Sequence, residues 1–137
     1  MALFSANAKS VTSIILPDSL QYIGYGAFSG TSITSVVLPK NLKVISDNAF
    51  YLCEALEDVD MNACSSLEKI GYSAFTLCKI SEISIPASVT EMGELVFNHN
   101  TVDLIINCEV SEKPEGWDPD WAFSYREGVT ITVNWKK

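Results

Sequence analysis

The residues in this sequence best suited to chemistry are carboxylates that recur in short segments alternating with apolar residues. Asp58 and Asp60 lie in one such segment, Glu82 in the next and Asp103 in the one after. Paired carboxylates serve either acid–base catalysis or the binding of cations and basic groups. Acid–base catalysis needs surroundings that drive two pKa values apart, whereas these residues alternate on an extended chain and face an open surface. The pattern therefore favours binding over catalysis.

Other catalytic groups are scarce. His99 is the single histidine and lies in a turn of sequence NHNT, where a solvated side chain is expected. The sequence also lacks G-x-S-x-G, a glycine-rich phosphate loop and H-E-x-x-H. We therefore expect a protein that is not an enzyme and that uses no cofactor or metal ion.

Four cysteines form no metal-binding signature, because no C-x-x-C pair is present. Cys53 and Cys78 each follow a phenylalanine by three residues, and we expect them to be small buried apolar groups. A disulfide between them is sterically conceivable, since adjacent coils place equivalent Cα atoms about 5 Å apart. The sequence leaves open the disulfide state of these two and of Cys64 and Cys108.

The segments that must position these residues are copies of one another. They contain the blocks LPDSLQYIGYGAF, LPKNLKVISDNAF, SSLEKIGYSAF and IPASVTEMGELVF. Their phenylalanines, at positions 28, 50, 75 and 97, are separated by 22, 25 and 22 residues. Such spacings fall within the period of roughly 20–29 residues that is typical of leucine-rich repeats.

Each copy predicts one strand and one return segment. Alternation turns Val36 and Leu38 inward on an extended chain, and Pro39 ends the strand because proline has no amide hydrogen. The second half of the unit, I-G-x-x-A-F, turns back and places its phenylalanine between coils. Only a neighbouring coil can cover that ring, which predicts a stacked solenoid.

The glycine of the return segment recurs as Gly24, Gly71 and Gly93 but is replaced by Ser46 in the second copy. Serine would be strained if this position required a positive φ. We infer that glycine is present for close packing between coils.

These blocks resemble the BspA-like, or Treponema-type, leucine-rich repeats over roughly residues 11–107. Asn62 and Asn107 replace the proline, and Val96 replaces the alanine before the phenylalanine. The resemblance implies an α/β repeat solenoid: a right-handed coil with a parallel sheet on its concave face and short turns or 3-10 segments on its convex side. It also implies a surface-exposed or secreted module for adhesion and protein binding, hence an extracellular or cell-surface location, and it brings no catalytic residues.

We expect a single domain over residues 1–137. Residues 1–10 form a partial N-terminal repeat, 11–107 the repeats, and 108–137 a C-terminal cap. Phe4 precedes Phe28 by 24 residues, so the chain is expected to begin inside a repeat and to be either a fragment of a longer protein or a mature piece with Met1 added for expression.

Alternation also predicts the outward-facing residues of the concave sheet, which are Ser13, Ile15, Ser35, Val37, Asp58, Asp60, Glu82, Ser84, Asp103 and Ile105. One end of this row is apolar and its middle is acidic. One interpretation is a docking surface for a basic protein segment. The other is a solvated face whose charges are screened by water and salt.

The C-terminal stretch contains all three tryptophans. The simplest interpretation is a cap over the last coil formed by Trp117, Trp121, Phe123 and Trp135. The alternative is a glycan site in which tryptophan rings stack on sugar and neighbouring carboxylates accept hydroxyl hydrogens. Its residues would be Trp117, Asp118, Asp120 and Trp121.

The net charge of −8, with nine scattered basic residues, argues against nucleic acid as a partner. No apolar run has the length of a transmembrane helix, and no signal peptide begins at Met1. We therefore expect a binding module for a protein partner. Glycan binding and a purely structural spacer role are the alternatives, and the oligomeric state stays open.

Overall fold

The computed structural model describes residues 8–137 as a stack of coils built from short parallel strands. Residues 1–7, which include Phe4 and most of the predicted partial repeat, lie outside this description. The elements, in chain order, are a 3-10 helix Ala8–Ser10, β1 Tyr22–Ile23, β2 Ser35–Val37, β3 Val44–Ile45, β4 Asp58–Asp60, β5 Lys69–Ile70, β6 Glu82–Ile85, β7 Glu91–Met92, β8 Leu104–Cys108 and β9 Ile131–Trp135.

One side of the stack carries the predicted strands. β2 pairs with β4, and β6 pairs with β8, which pairs with β9; all pairs are parallel. Within β2 and β4 the burial pattern is exposed, buried, exposed, because the central valine of each faces the core. The period of two in the sequence thus becomes an alternation between core and solvent. Within the described chain, no hydrogen-bonded ladder joins β4 to β6.

A second sheet was not anticipated. The Ile-Gly part of each return segment was expected to turn back, but β1, β3, β5 and β7 form a four-stranded parallel sheet in that order. Its register places Ile23, Ile45, Ile70 and Met92 in one inward-facing row. All four of these side chains are buried. The coils that contain β2 and β3, β4 and β5, and β6 and β7 therefore contribute two strands each rather than one.

The remaining side of the stack consists of turns. The expected repeat solenoid of parallel strands is confirmed, but its α/β label is not, because the only helical segment of residues 8–137 is the three-residue 3-10 helix. No helix in that part of the chain is long and apolar enough to cross a bilayer. The turns hold two left-handed positions per coil, occupied first by Gly26 and Gly30. In later coils the same positions hold residues other than glycine: Asn48, Leu52, Ser73, Leu77, Leu95 and His99. Asparagine and histidine tolerate positive φ better than leucine and serine do.

A column of phenylalanine rings runs through the stack. The ring centroids of Phe28 and Phe50 are 5.4 Å apart, those of Phe50 and Phe75 are 5.2 Å apart, and those of Phe75 and Phe97 are 5.8 Å apart. All four rings are at least 96% buried, with exposed fractions of 4%, 0%, 0% and 0%. The expectation that each coil covers the ring of its neighbour agrees with this geometry.

Close packing explains the glycines of the second sheet. A Cβ on Gly93 would lie 2.5 Å from the backbone nitrogen of Tyr72 in the preceding coil, and one on Gly71 would lie 2.5 Å from that of Asp47. Neither glycine has a positive φ. Backbone approach between coils, rather than an unusual dihedral angle, therefore excludes larger residues here.

The last coil buries two of the three tryptophans. Trp121 lies edge-on to Phe97 at a centroid distance of 6.5 Å, and Trp117 lies 4.9 Å from Trp121. Trp135 of β9 packs on both indoles. Phe123 was expected among these rings but is 48% exposed and pairs instead with Tyr125. Trp121, not Phe123, therefore extends the phenylalanine column.

Candidate functional site

The outward side chains of β2, β4, β6, β8 and β9 form one continuous surface, which we call the strand face. Pairing registers arrange these side chains in two rows within β2–β4 and within β6–β8–β9, and the sequence repeat aligns β4 with the neighbouring β6. The first row contains Ser35, Asp58, Glu82, Ile105 and Thr132, and the second contains Val37, Asp60, Ser84, Asn107 and Asn134.

The middle of the strand face is acidic. Asp58, Asp60 and Glu82 are exposed and line a groove of about 310 Å³ between β4 and β6. The ion pairs found within residues 8–137 join Lys79 to Glu57 and Lys136 to Glu109, so none neutralises these three carboxylates. β4 and β6 are not joined by hydrogen bonds, so these like charges lie on the two sides of an open groove, where they repel one another.

The strand face is apolar at its N-terminal end, where it contains Val37, and Ile15 adjoins it without belonging to a strand. Ile15 and Val37 expose 96% and 67% of their surface, and both line a second groove of about 400 Å³. Pro39 and Ala63 contribute to the same groove, with Lys40 beside them. An aliphatic surface therefore adjoins the acidic groove.

The C-terminal part is polar and internally hydrogen-bonded. The Asn134 side-chain amide donates to Asn107 Oδ1 at 3.0 Å, and the Asn107 amide donates to Glu82 Oε2 at 2.8 Å. This chain of hydrogen bonds crosses three strands. The sequence prediction missed Asn107 because it aligned that residue with Pro86, whereas the register pairs Asn107 with Ser84. It missed Asn134 because the predicted row of outward residues ended at Ile105.

Three predicted members of the row lie outside the paired strands. Asp103 precedes β8, and its Oδ1 accepts the backbone N–H of Thr130 at 2.9 Å. Ser13 is exposed, but residues 11–16, which include Ile15, form no strand. Alternation placed these side chains outward, but a strand also needs a hydrogen-bonded neighbour. The other predicted residues, Ser35, Val37, Asp58, Asp60, Glu82, Ser84 and Ile105, lie on β2, β4, β6 and β8.

The predicted alternative site near the tryptophans has a different geometry. Trp117 and Trp121 are only 1% and 4% exposed, and the indole N–H of Trp117 donates to the Val89 carbonyl. Sugar stacking needs an accessible ring face, so this burial argues against a glycan platform. The carboxylates of Asp118, Asp120 and Glu94 come within 4.8 Å of one another, an arrangement that surface acidic groups often show.

All four thiols are buried and unpaired. Cys53 Sγ donates to the Phe28 carbonyl at 3.1 Å, and Cys78 Sγ donates to the Phe50 carbonyl at 3.4 Å. Burial raises the pKa of Cys64 to about 11, with a smaller contribution from Asp60, and burial likewise raises the pKa of Cys108 to about 11. Neutral thiols of this kind are poor nucleophiles and poor metal ligands.

A comparison with models of protein families identifies the family to which these repeats belong. The model described as "BspA type Leucine rich repeat region" matches residues 3–103 in six copies. The chain belongs to the BspA-type leucine-rich repeat family. This confirms the resemblance carried by the four sequence blocks.

Other comparisons add little to the BspA-type assignment. A crystal structure of a leucine-rich repeat protein from Bacteroides ovatus ATCC 8483 is similar at 24% sequence identity, with a TM-score of 0.41. The match covers 93% of this chain and 44% of that chain, so the BspA-type chain spans less than half of its length. No curated protein matches.

Proposed function

We propose that this BspA-type chain is a non-enzymatic protein-interaction module of a cell-surface or secreted protein, and that its strand face is concave and binds a basic segment of a partner protein. The observation that carries the proposal is the group formed by Asp58, Asp60 and Glu82. These carboxylates are exposed on neighbouring strands, and no lysine or arginine of the described chain pairs with them. Membership in a repeat family used for interaction supports the coarser part of the proposal.

Electrostatics favours a cationic partner over other ligands. The carboxylates of the acidic groove carry the same charge, and a bound lysine or arginine would add attraction between opposite charges. The adjoining surface around Ile15 and Val37 would accept an aliphatic side chain of the same segment. In this arrangement residues 108–137 act as the C-terminal cap, and β9 within them adds Thr132 and Asn134 to the strand face.

The test is a charge reversal on the strand face. A fluorescein-labelled octalysine peptide is titrated with the wild-type chain and with the Asp58→Lys/Asp60→Lys variant at low salt. We expect the variant to bind about tenfold more weakly or worse, because two local attractions become repulsions. The control variant, Glu112→Lys/Glu115→Lys, has the same change in net charge in an exposed loop away from the strand face.

The control should lose no more than about threefold in affinity, since long-range attraction is screened beyond a Debye length of roughly 10 Å. Equal losses in the two variants would mean that the peptide senses only net charge. That result would leave the strand face without a specific role.

A further inference from the structure

The outer side of the second sheet contains a small pocket that combines charged, hydroxyl and aromatic groups. Its volume is about 210 Å³, and it is lined by Tyr25, Val44, Ser46, Asp47 and Lys69. Val44 lies on β3 and Lys69 on β5, while Tyr25 lies shortly after β1 and Ser46 and Asp47 lie directly after β3. Three consecutive coils therefore contribute side chains to the pocket.

The second coil supplies the hydroxyl and the carboxylate. Ser46 occupies the position that is glycine in the other three units, and no hydrogen bond within residues 8–137 involves its side chain. Asp47 Oδ1 accepts the backbone N–H of Tyr72 at 2.9 Å, which fixes the orientation of the carboxylate. Its Oδ2 is left to accept a hydrogen bond from a ligand.

Lys69 supplies the opposite charge. Its side chain is exposed, and neither ion pair of the described part of the chain includes it. Asp47 lines the same pocket without pairing with this ammonium group. One cation and one separate carboxylate suit a ligand that has a single negative charge and several hydrogen-bond donors. A doubly charged phosphate group fits less well, because Asp47 would repel it.

Tyr25 adds an apolar surface to these polar groups. Its side chain is 61% exposed, so the ring is accessible to a ligand. An accessible aromatic ring packs on the C–H face of a sugar, while hydroxyl and carboxylate groups bond the sugar hydroxyls. The pocket is smaller than the roughly 300–1,000 Å³ of sites that enclose drug-sized ligands. It therefore suits one sugar unit and not a longer segment.

We propose that this pocket binds one hexuronic acid unit of an acidic glycan. The sugar carboxylate pairs with Lys69, the sugar hydroxyls bond Asp47 and Ser46, and the C–H face lies on Tyr25. The site is distinct from the acidic groove, because its strands belong to the second sheet and not to the strand face. Failure of one site therefore leaves the other untouched.

The test is a titration of ¹⁵N-labelled protein with methyl β-glucuronide, followed by backbone amide shifts. Methyl β-glucoside, which lacks the carboxylate, is the matched neutral ligand. The glucuronide should bind with millimolar affinity and should cause its largest shifts at Asp47 and Lys69. The glucoside should bind about fivefold more weakly, because it cannot form the exposed charge pair with Lys69.

Substitutions separate the two contributions. Lys69→Gln should bind the two ligands equally, and Tyr25→Ala should bind both about fivefold more weakly than wild type. Tyr125→Ala is the matched control, because that tyrosine is 65% exposed and does not line the pocket. It should bind both ligands like wild type.

Three results would overturn the proposal. The first is an absence of shifts at about 50 mM glucuronide, a concentration that populates a millimolar complex. The second is equal affinity of the wild-type chain for the glucuronide and the glucoside, or unchanged affinity in Tyr25→Ala. The third is tighter binding of glycine than of the glucuronide, which would assign the pocket to an amino acid.

Discussion

Replacing Phe50 by alanine removes one ring from the middle of the phenylalanine column. Phe50 is fully buried and lies between Phe28 at 5.4 Å and Phe75 at 5.2 Å. Each neighbouring ring is held by the backbone of its own coil, and those coils are joined by hydrogen bonds such as that from the Phe50 N–H to the Ala74 carbonyl at 2.8 Å. The cavity left by the substitution therefore cannot close by movement along the column.

The expected cost follows from this geometry. Truncation of a buried phenylalanine costs about 3–5 kcal/mol, and values near the top of that range arise where the site cannot collapse. Phe75→Ala should cost a similar amount, since Phe75 also has a ring on each side. Phe123→Ala is the matched control, because that ring is 48% exposed and touches only Tyr125 among the aromatic rings of the described chain. It should cost about 1 kcal/mol.

Urea unfolding measures these differences, followed both by far-UV circular dichroism and by tryptophan fluorescence. The dichroism reports on all coils, whereas the tryptophans report on the last coil, so coincident transitions establish that the stack unfolds as one unit. If Phe50→Ala cost no more than Phe123→Ala, the rings would not be supported by stacking between coils.

Three further predictions concern the turns, the glycines and the thiols. Gly71→Ala should lower the free energy of unfolding in urea by about 2 kcal/mol or more, since its Cβ would lie 2.5 Å from the backbone of the preceding coil. Gly128→Ala should lower it by about 1 kcal/mol, because that site has open space for a Cβ but a φ of 79°. Leu52→Gly should leave the free energy of unfolding within about 1 kcal/mol of the wild-type value. Glycine adopts the positive φ of this position without strain, which offsets the entropy that its flexibility costs on folding. A loss of stability as large as that of a truncated core leucine would refute this. Burial raises the pKa of Cys64 and Cys108 from 9.0 to about 11. Between these pH values the unfolded chain loses the thiol protons and the folded chain keeps them, so the stabilisation that is fully present below pH 9 is lost as the pH rises through 11. The Cys64→Ala/Cys108→Ala variant should show a smaller loss over that range, and identical pH profiles would contradict the assignment.

The phenylalanine column could be predicted from the sequence because a side chain repeated once per coil must stack on its own copies. Spacings of 22, 25 and 22 residues sufficed to identify the repeat. The buried thiols followed from the same logic, since Cys53 and Cys78 occupy equivalent positions. The packing role of Gly71 was inferred from Ser46 at the matching position.

The second sheet could not be read from the sequence, because two-residue strands such as Val44–Ile45 are too short to carry a period. The turn positions with a left-handed backbone could not be predicted either, because the residue type at these positions changes from coil to coil. Only the first coil marks them with Gly26 and Gly30, and later coils use residues such as Leu52 that do not suggest a positive φ. Stacking against neighbouring coils imposes these conformations and overrides local preference.

The sequence predicted the acidic residues of the groove, but it did not predict where the strand face ends. Matching Asn107 to Pro86 shifted the fifth unit by two residues, and such a shift preserves the inward and outward pattern. Alternation alone therefore could not distinguish Asp103, which lies before β8, from Asn107, which lies on the strand face. Hydrogen-bond register is the information that the sequence lacked.

The most direct test of the acidic groove maps where a cationic ligand binds. Octalysine is titrated into ¹⁵N-labelled protein, and backbone amide shifts are followed residue by residue. The largest shifts are expected at Asp58, Asp60 and Glu82, with little change at Glu112 and Glu115. Shifts of equal size at all exposed acidic residues, or shifts confined to the loop around Glu112, would contradict a binding role for the strand face.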